Sequence, residues 1–308
     1  MSNLEVSHAQ RLDQRVVEQM PTLTRSYGSK LIDTGRVTVN GKIVTKAGYK
    51  MHHGDVVVIE HDETAFDVIP TIELPVVYED DDCVVIIKPA GLLTHSKGAF
   101  NPEATVATWL RGRLRSMEGE RAGIVHRLDR ATSGIMICAK TPAAHVWLQK
   151  QFSQRRVLKQ YVAIASGSFT ELKAIIDMPI ERNPKQPQTF RVGINGRPAI
   201  TAYQVLQTTE HFSMVELKPE TGRTHQLRVH LAHLKHPVVG DTLYNGLASS
   251  RLYLHAERLE LTLPNRSRQV FNAALPVEFT DFMQNDQSHD QTDSQTGNQS
   301  GKQVKTSG

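Results

Sequence analysis

The chain has 308 residues, of which 39% are hydrophobic and 22% charged, with a net charge of +4. That length suits one large domain and one small one, and the modest basic excess permits a nucleic-acid partner without establishing one. No apolar run approaches the ~18 residues of a membrane span, and two isolated cysteines, Cys83 and Cys138, supply neither a disulfide framework nor a zinc ligand set. Both sit in apolar runs and read as small buried hydrophobes. The N-terminal stretch MSNLEVSHAQRLDQR lacks the apolar core of a signal peptide. The expectation is a cytoplasmic protein.

The first dozen residues carry no pattern and are expected to be loosely ordered. Leu12, Val16 and Met20 then recur at helical spacing up to Pro21. Thr24 is placed to cap a second helix, which Gly35 stops. The period changes to two in RVTVNGKIV, where Asn40–Gly41 is a hairpin signal, and VVVIE reads as a closing strand. Residues 11–60 are thus expected to form a small module. Residues 61–74 are polar, without a period, and read as a linker.

From residue 75 short apolar runs alternate with Gly, Pro and Asp. VVYEDDDCVVIIKPAG predicts a hairpin, GIMICAK a buried strand and PAAHVWLQKQFSQRR an amphipathic helix. KQYVAIASG predicts a strand, TAYQVLQTTEHFSMVELKPE a strand pair, and THQLRVHLAHLK a helix. Strands and helices mix without a βαβ rhythm, so the fold class expected for residues 75–282 is α+β with a mainly antiparallel sheet. Residues 283–308 hold almost no large apolar side chain and predict a disordered tail.

The densest unusual segment is GIVHRLDRATSGIMICAK. Asp129 lies there between small polar residues and a strand, on a loop delivered by a rigid scaffold. Seen alone, a salt-bridged loop aspartate is the better reading. KQYVA adds Tyr161 at the mouth of a strand, and GRTHQLRVH adds Arg223 and Arg228. A carboxylate, an aromatic face and a guanidinium together suit a planar nucleobase held beside a reactive group.

HRLDRATSG, KQYVA and GRTHQLRVH resemble, in that order, the signature segments of the RluA-type pseudouridine synthases. KPAGLLTHS and HPVVGDTLY resemble flanking segments of that family. Residues of the N-terminal module resemble the RNA-binding module named after ribosomal protein S4. The resemblance implies a catalytic role for Asp129, base stacking by Tyr161, and pairing of Arg228 with the carboxylate. It further implies that Arg127 enters the RNA in place of the flipped nucleotide. An isomerisation of uridine needs no cofactor or metal. The implied partner is RNA, ribosomal in the first instance with transfer RNA as the alternative, and no protein partner beyond a monomer is called for. Arg25, Lys30, Arg36 and Lys42, with Lys46 and Lys50, would supply the module's basic face. Lys235 departs from the glycine expected at its position, which bears on a local turn only.

Three rival readings compete. His225, His230, His233 and His236 suggest zinc, but their spacing and the lack of accompanying cysteines argue against it. Ser133 beside His126 and Asp129 suggests a hydrolase triad, but there is no G-x-S-x-G elbow and the residues are too close in sequence. A non-catalytic RNA binder using the N-terminal module alone would have no use for Asp129, Tyr161 and Arg228 together.

Overall fold

In the segment RVTVNGKIV, Asn40 and Gly41 take the left-handed backbone that a two-residue hairpin turn demands (φ 51° and 77°). The Asn40 side chain locks that turn: its Nδ2 donates to Asp55 and its Oδ1 accepts the Val56 N–H. A computed structural model of the chain describes residues 4–5, 10–20, 25–60, 70–96, 103–119 and 121–296. It forms two compact units. One comprises Met1–Glu73, His95–Gly112 and Glu118–Ala122; the other Leu74–Thr94, Arg113–Met117 and Gly123–Gly308.

In the first unit, β1 (Leu4–Glu5), β2 (Gln10–Arg11), α1 (Leu12–Gln19), α2 (Arg25–Asp33), β3 (Val37–Val39), β4 (Lys42–Ile43), β5 (Lys50–Met51) and β6 (Val56–Ile59) follow in order. The sheet order is β1-β6-β3-β4, with β2 paired to β5. The apolar positions read from the helical and alternating periods, Leu12, Val16, Leu31, Ile32, Val37, Val39 and Val57, make one core with Met51. The expectation of a loose first dozen residues is corrected by β1 and β2, which pair with β6 and β5. Thr24 and residues 61–69 of the expected linker lie outside the described residues. Further along the chain α3 (Val106–Leu110) starts on a capping box between Thr105 and Thr108.

The second unit is built on a nine-stranded sheet. Its strands are β7 (Val76–Glu79), β8 (Cys83–Lys88), β9 (Ser133–Ala139), β10 (Leu158–Ser166), β11 (Lys173–Asp177), β14 (Ile200–Thr208), β15 (Phe212–Pro219), β16 (Leu254–Thr262) and β17 (Arg268–Asn272). A small ribbon, β12 (Ile180–Arg182) with β13 (Phe190–Val192), stands apart. The order is β11-β14-β15-β10-β16-β9-β8-β7, with β17 also on β16. Every pairing is antiparallel except β9 with β16. The sheet is therefore mainly antiparallel in an α+β fold, as the mixed texture predicts.

Helix α4 (Pro142–Ser153), capped by Thr141 with proline at its first position, contacts β9. Ala144 and Leu148 of α4 join Val85, Ile135 and Ile137 of the sheet in one core. Helix α5 (Gln226–His233) contributes Leu227 and Leu231 to a second core with Ala163, Val215 and Leu217. Just beyond α5, Lys235 holds φ 70°, a conformation that accounts for glycine being the expected residue there. Both cysteines are buried.

The C-terminal boundary needs correction. Helix α6 (Val277–Thr296) runs through the expected start of the tail. Met283 is buried with Phe279 against Val162, Ile164 and Tyr253, and Asp286 accepts a hydrogen bond from the His211 backbone N–H. Two apolar side chains one helical turn apart are enough to dock a helix that composition alone marks as polar. Residues 297–308 lie outside the described residues.

Candidate active site

The chemistry-bearing loop is held from several directions before any functional group is considered. Leu128 exchanges its N–H and C=O with the Thr94 hydroxyl. The Arg130 carbonyl accepts from the Gly91 N–H and from the Lys88 ammonium. Lys88 is fully buried and donates also to the carbonyls of Pro89 and Leu92. Burial pulls it down to about 7, with Asp129 pushing the other way. At the root of the loop His126 accepts the Ile137 N–H through Nε2 and stacks on Phe152. Burial lowers His126 to about 3, with Lys159 adding to the effect, so the ring stays neutral and keeps that acceptor.

The loop ends where β9 meets β16 in the parallel pairing. Gly134 has φ 121°, and a Cβ there would collide with the backbone of Ala256. Only glycine lets β16 approach closely enough to fix where Asp129 emerges. Ser133, next to it, is buried and bonds His255 Nδ1 and Arg251. It serves the strand junction, and the histidine it bonds is His255, not His126.

Asp129 lies beside Arg228, with Nη1 3.4 Å from Oδ2. The guanidinium is fixed by a second acid: Nε and Nη2 of Arg228 donate to the two oxygens of buried Asp241 at 2.6 and 2.7 Å. That bidentate fork aims the remaining nitrogen at Asp129. The Tyr244 ring lies 5.1 Å under the guanidinium, and its hydroxyl accepts the Phe190 N–H. His225, in the left-handed conformation at the start of α5 (φ 57°), bonds the same hydroxyl through Nδ1 at 2.7 Å. Its Nε2 stands 3.8 Å from Asp129. Burial lowers the His225 imidazole despite the nearby carboxylate, and burial pushes the Tyr244 phenol up to about 12.

Tyr161 occupies β10 just after a register shift against β16, where Gln160 pairs with Arg258 but Tyr161 with Ala256. The extra residue is Glu257 on β16, so the bulge bends that strand beside Tyr161 while β10 keeps its alternation. Tyr161 and Asp129 line one cavity of about 810 Å³, together with Arg127, Arg228 and His225. Burial first, and Asp129 second, raise the Tyr161 phenol, so it presents a neutral aromatic face. Arg127 is exposed at the same cavity.

Asp129, Tyr161, Arg228 and Arg127 are therefore brought together. The N-terminal basic residues belong to the other unit. There Arg25 is committed to buried Asp13 through two hydrogen bonds, while Lys30, Arg36 and Lys42 are exposed. Of the histidines that suggest zinc, His225 bonds Tyr244, His230 bonds Thr201 and the Met178 carbonyl, and His236 bonds the Ser166 carbonyl. Sequence reasoning missed Asp241, Tyr244, His225 and Lys88 as members of the site. Lys88 stands in KPAGLLTHS, and Asp241 and Tyr244 in HPVVGDTLY, segments noted for resemblance without a role for any side chain, while His225 stands in GRTHQLRVH, where it was weighed only as a zinc ligand.

Comparisons with known proteins show the family to which the chain belongs. Residues 82–233 match the family described as RNA pseudouridylate synthase, and residues 10–57 match the S4 domain. The ribosomal large subunit pseudouridine synthase D of Yersinia pestis is 38% identical over 294 residues, covering 89% of this chain and 90% of that protein. The protein of the same name from Escherichia coli strain K12 is 40% identical over 240 residues, covering 77% and 73%. Among solved structures, human RNA pseudouridylate synthase domain containing 1 aligns with a TM-score of 0.56 at 31% identity, covering 66% of this chain and 84% of that one.

Proposed function

We propose, starting from a chain that belongs to the RluA-type family of RNA pseudouridine synthases, that it isomerises uridines in large-subunit ribosomal RNA with Asp129 as the catalytic carboxylate. The observation that carries the assignment of Asp129 is its place: a carboxylate facing a cavity beside Tyr161, with its partner Arg228 held from behind by Asp241. A uridine within folded RNA hides its glycosidic bond, so the nucleotide must be extruded. Tyr161 offers the extruded uracil a stacking face, worth roughly 1–3 kcal/mol by analogy with other base stacking. Arg127 is long and planar enough to fill the vacated position in the helix.

In the reaction the N1–C1′ bond breaks, the uracil turns, and a C5–C1′ bond forms. The C5 proton is released and N1 gains one, so substrate and product are isomers and the balance calls for no redox partner. Attack on C1′ and removal of a ribose proton both require the ionised carboxylate of Asp129. The Arg228 N–H donates to that carboxylate at 3.4 Å. Two buried free thiols fit a cytoplasmic setting.

The substrate choice rests on the names of the relatives, several of which are ribosomal large subunit pseudouridine synthases. In this reading the S4 unit supplies affinity through Lys30, Arg36 and Lys42. Purified protein incubated separately with large-subunit ribosomal RNA and with transfer RNA, followed by chemical mapping of pseudouridine, tests the proposal. Modification of defined uridines in the ribosomal RNA is expected. Modification confined to transfer RNA would overturn the substrate assignment. Alanine at Lys30, Arg36 and Lys42 together should weaken RNA binding and flatten its salt dependence, with kcat unchanged.

A further inference from the structure

Besides Arg228 the cavity is lined by Arg127, Lys150, Arg155, Lys159 and Arg223, and the last three gather on one wall. Arg155, Lys159 and Arg223 all line it, and none forms an ion pair among the described residues. Glu220 lines the same wall without pairing to them. Arg155 terminates α4 with φ 56°. Its N–H closes on the Phe152 carbonyl and that of Arg156 on Gln151, the bonding of a helix end. Glycine is the residue of least strain at such a position, yet an exposed arginine stands there.

Lys159 lies two residues before Tyr161 on β10 and so shares its face of the strand. Its ammonium donates to the Thr221 carbonyl at 3.2 Å. Arg223 is braced by Nε on the Pro198 carbonyl, at 3.0 Å. Its loop is shaped by buried Gln226, which accepts from the Thr221 hydroxyl and the Arg223 N–H and donates to Ile200 and Thr201. The three charges weigh on one another. Lys159 is drawn down to about 8, by burial first and then by Arg155; Arg223 is lowered by burial, then by Arg197 and Arg155. Strain, crowding of like charge and a built loop converge on a place that is unfavourable until an anion enters it.

We propose that Arg155, Lys159 and Arg223 form a seat for a phosphodiester of the RNA strand flanking the extruded nucleotide. This rests on the RNA isomerase reading above, and it gives the cavity a backbone contact distinct from the Arg127 position. The seat would set the register of the strand, so that the nucleotide entering beside Asp129 is the one Tyr161 can stack.

The discriminating variant is Arg155→Gly, because glycine relieves the left-handed strain while deleting the charge. The melting temperature should hold or rise. RNA binding and KM should weaken about tenfold, the loss of one charge-assisted contact, with kcat unchanged. The slope of log K against log salt should fall by about 0.7–0.9, one phosphate contact. Arg223→Gln should behave alike, and Lys185→Gln, outside the cavity, should change neither quantity. Unchanged affinity and salt slope in Arg155→Gly and Arg223→Gln would overturn the seat. Equilibrium binding reads the seat without turnover, whereas wild-type turnover on the same RNA reads the isomerase assignment, so the two can fail separately.

Discussion

Asp13 in the S4 unit and Asp129 in the synthase unit are each faced by arginine, but the burial of the partners is reversed. The Asp13 side chain is 5% exposed, and its partners Arg11 and Arg25 are 50% and 56% exposed. At Asp129 the acid is 19% exposed and Arg228 only 9%. In the first arrangement water-facing arginines cover an acid and keep it from reacting. In the second a buried guanidinium, already satisfied by Asp241, leaves the acid facing a cavity. An ion pair alone therefore does not mark a functional carboxylate; which partner faces the open space does.

The comparison breaks most sharply at Asp129. Asp129→Asn keeps the shape and removes the charge, so pseudouridine formation should fall by at least about a thousandfold while the melting temperature moves little. Measurable turnover in the folded variant would assign Asp129 to the same structural class as Asp13.

Arg228→Ala is expected to damage both fold and activity. It leaves Asp241 buried and unpaired, at a cost of about 3–5 kcal/mol, read as a lower melting temperature with a large drop in kcat. Asp241→Asn isolates the orienting role, since asparagine retains one acceptor for the fork. Its kcat should fall at least about tenfold with KM nearly unchanged, because the interaction serves the reacting carboxylate. Equal losses in kcat and RNA affinity would instead tie Arg228 to the RNA.

Asp13→Ala should cost about 1–3 kcal/mol and leave kcat untouched. The Arg11 hydrogen bond, with Arg25 contributing, holds the Asp13 carboxyl below its ordinary 3.8. Its contribution is therefore complete above that unfolded value and is lost as the pH falls below about 4, through the folded value. Acid titration of stability should show this loss in the wild type and not in Asp13→Ala.

A third acid, Asp286, is 14% exposed and is covered, like Asp13, by an exposed partner. Its partner His211 is 62% exposed at 3.2 Å, so Asp286→Ala should change stability by less than about 1 kcal/mol. Truncation after Phe282, which also removes buried Met283, should cost a further 1.5–3 kcal/mol or so. Equal stability of the two variants would show that α6 is held by Phe279 alone.

The local elements were legible because their causes are local. Alternation, the Asn40–Gly41 pair, the helical spacing of Leu12 and Val16, and the proline and threonine at the head of α4 act within a few residues of themselves. The trio that lines the cavity was also legible, because Asp129, Tyr161 and Arg228 stand in segments of unusual composition that resemble a known family. The docking of α6 was not, since only Phe279 and Met283 anchor it and the polar remainder dominates its composition.

By itself, then, the sequence determined the α+β class, the order of the elements and which side chains to propose for the reaction. Tertiary structure alone decided how those side chains are poised. Arg228 and Asp129 are 99 positions apart, and the parallel junction of β9 with β16 sets where the loop emerges. Asp241, Lys88 and Tyr244 stand in segments the resemblance had marked, but their contacts with Arg228 and the Arg130 carbonyl exist only in the folded chain. The physical reason is range: propensities and turn signals are read over a few residues, whereas desolvation and bidentate geometry exist only once distant segments have excluded water around a common site.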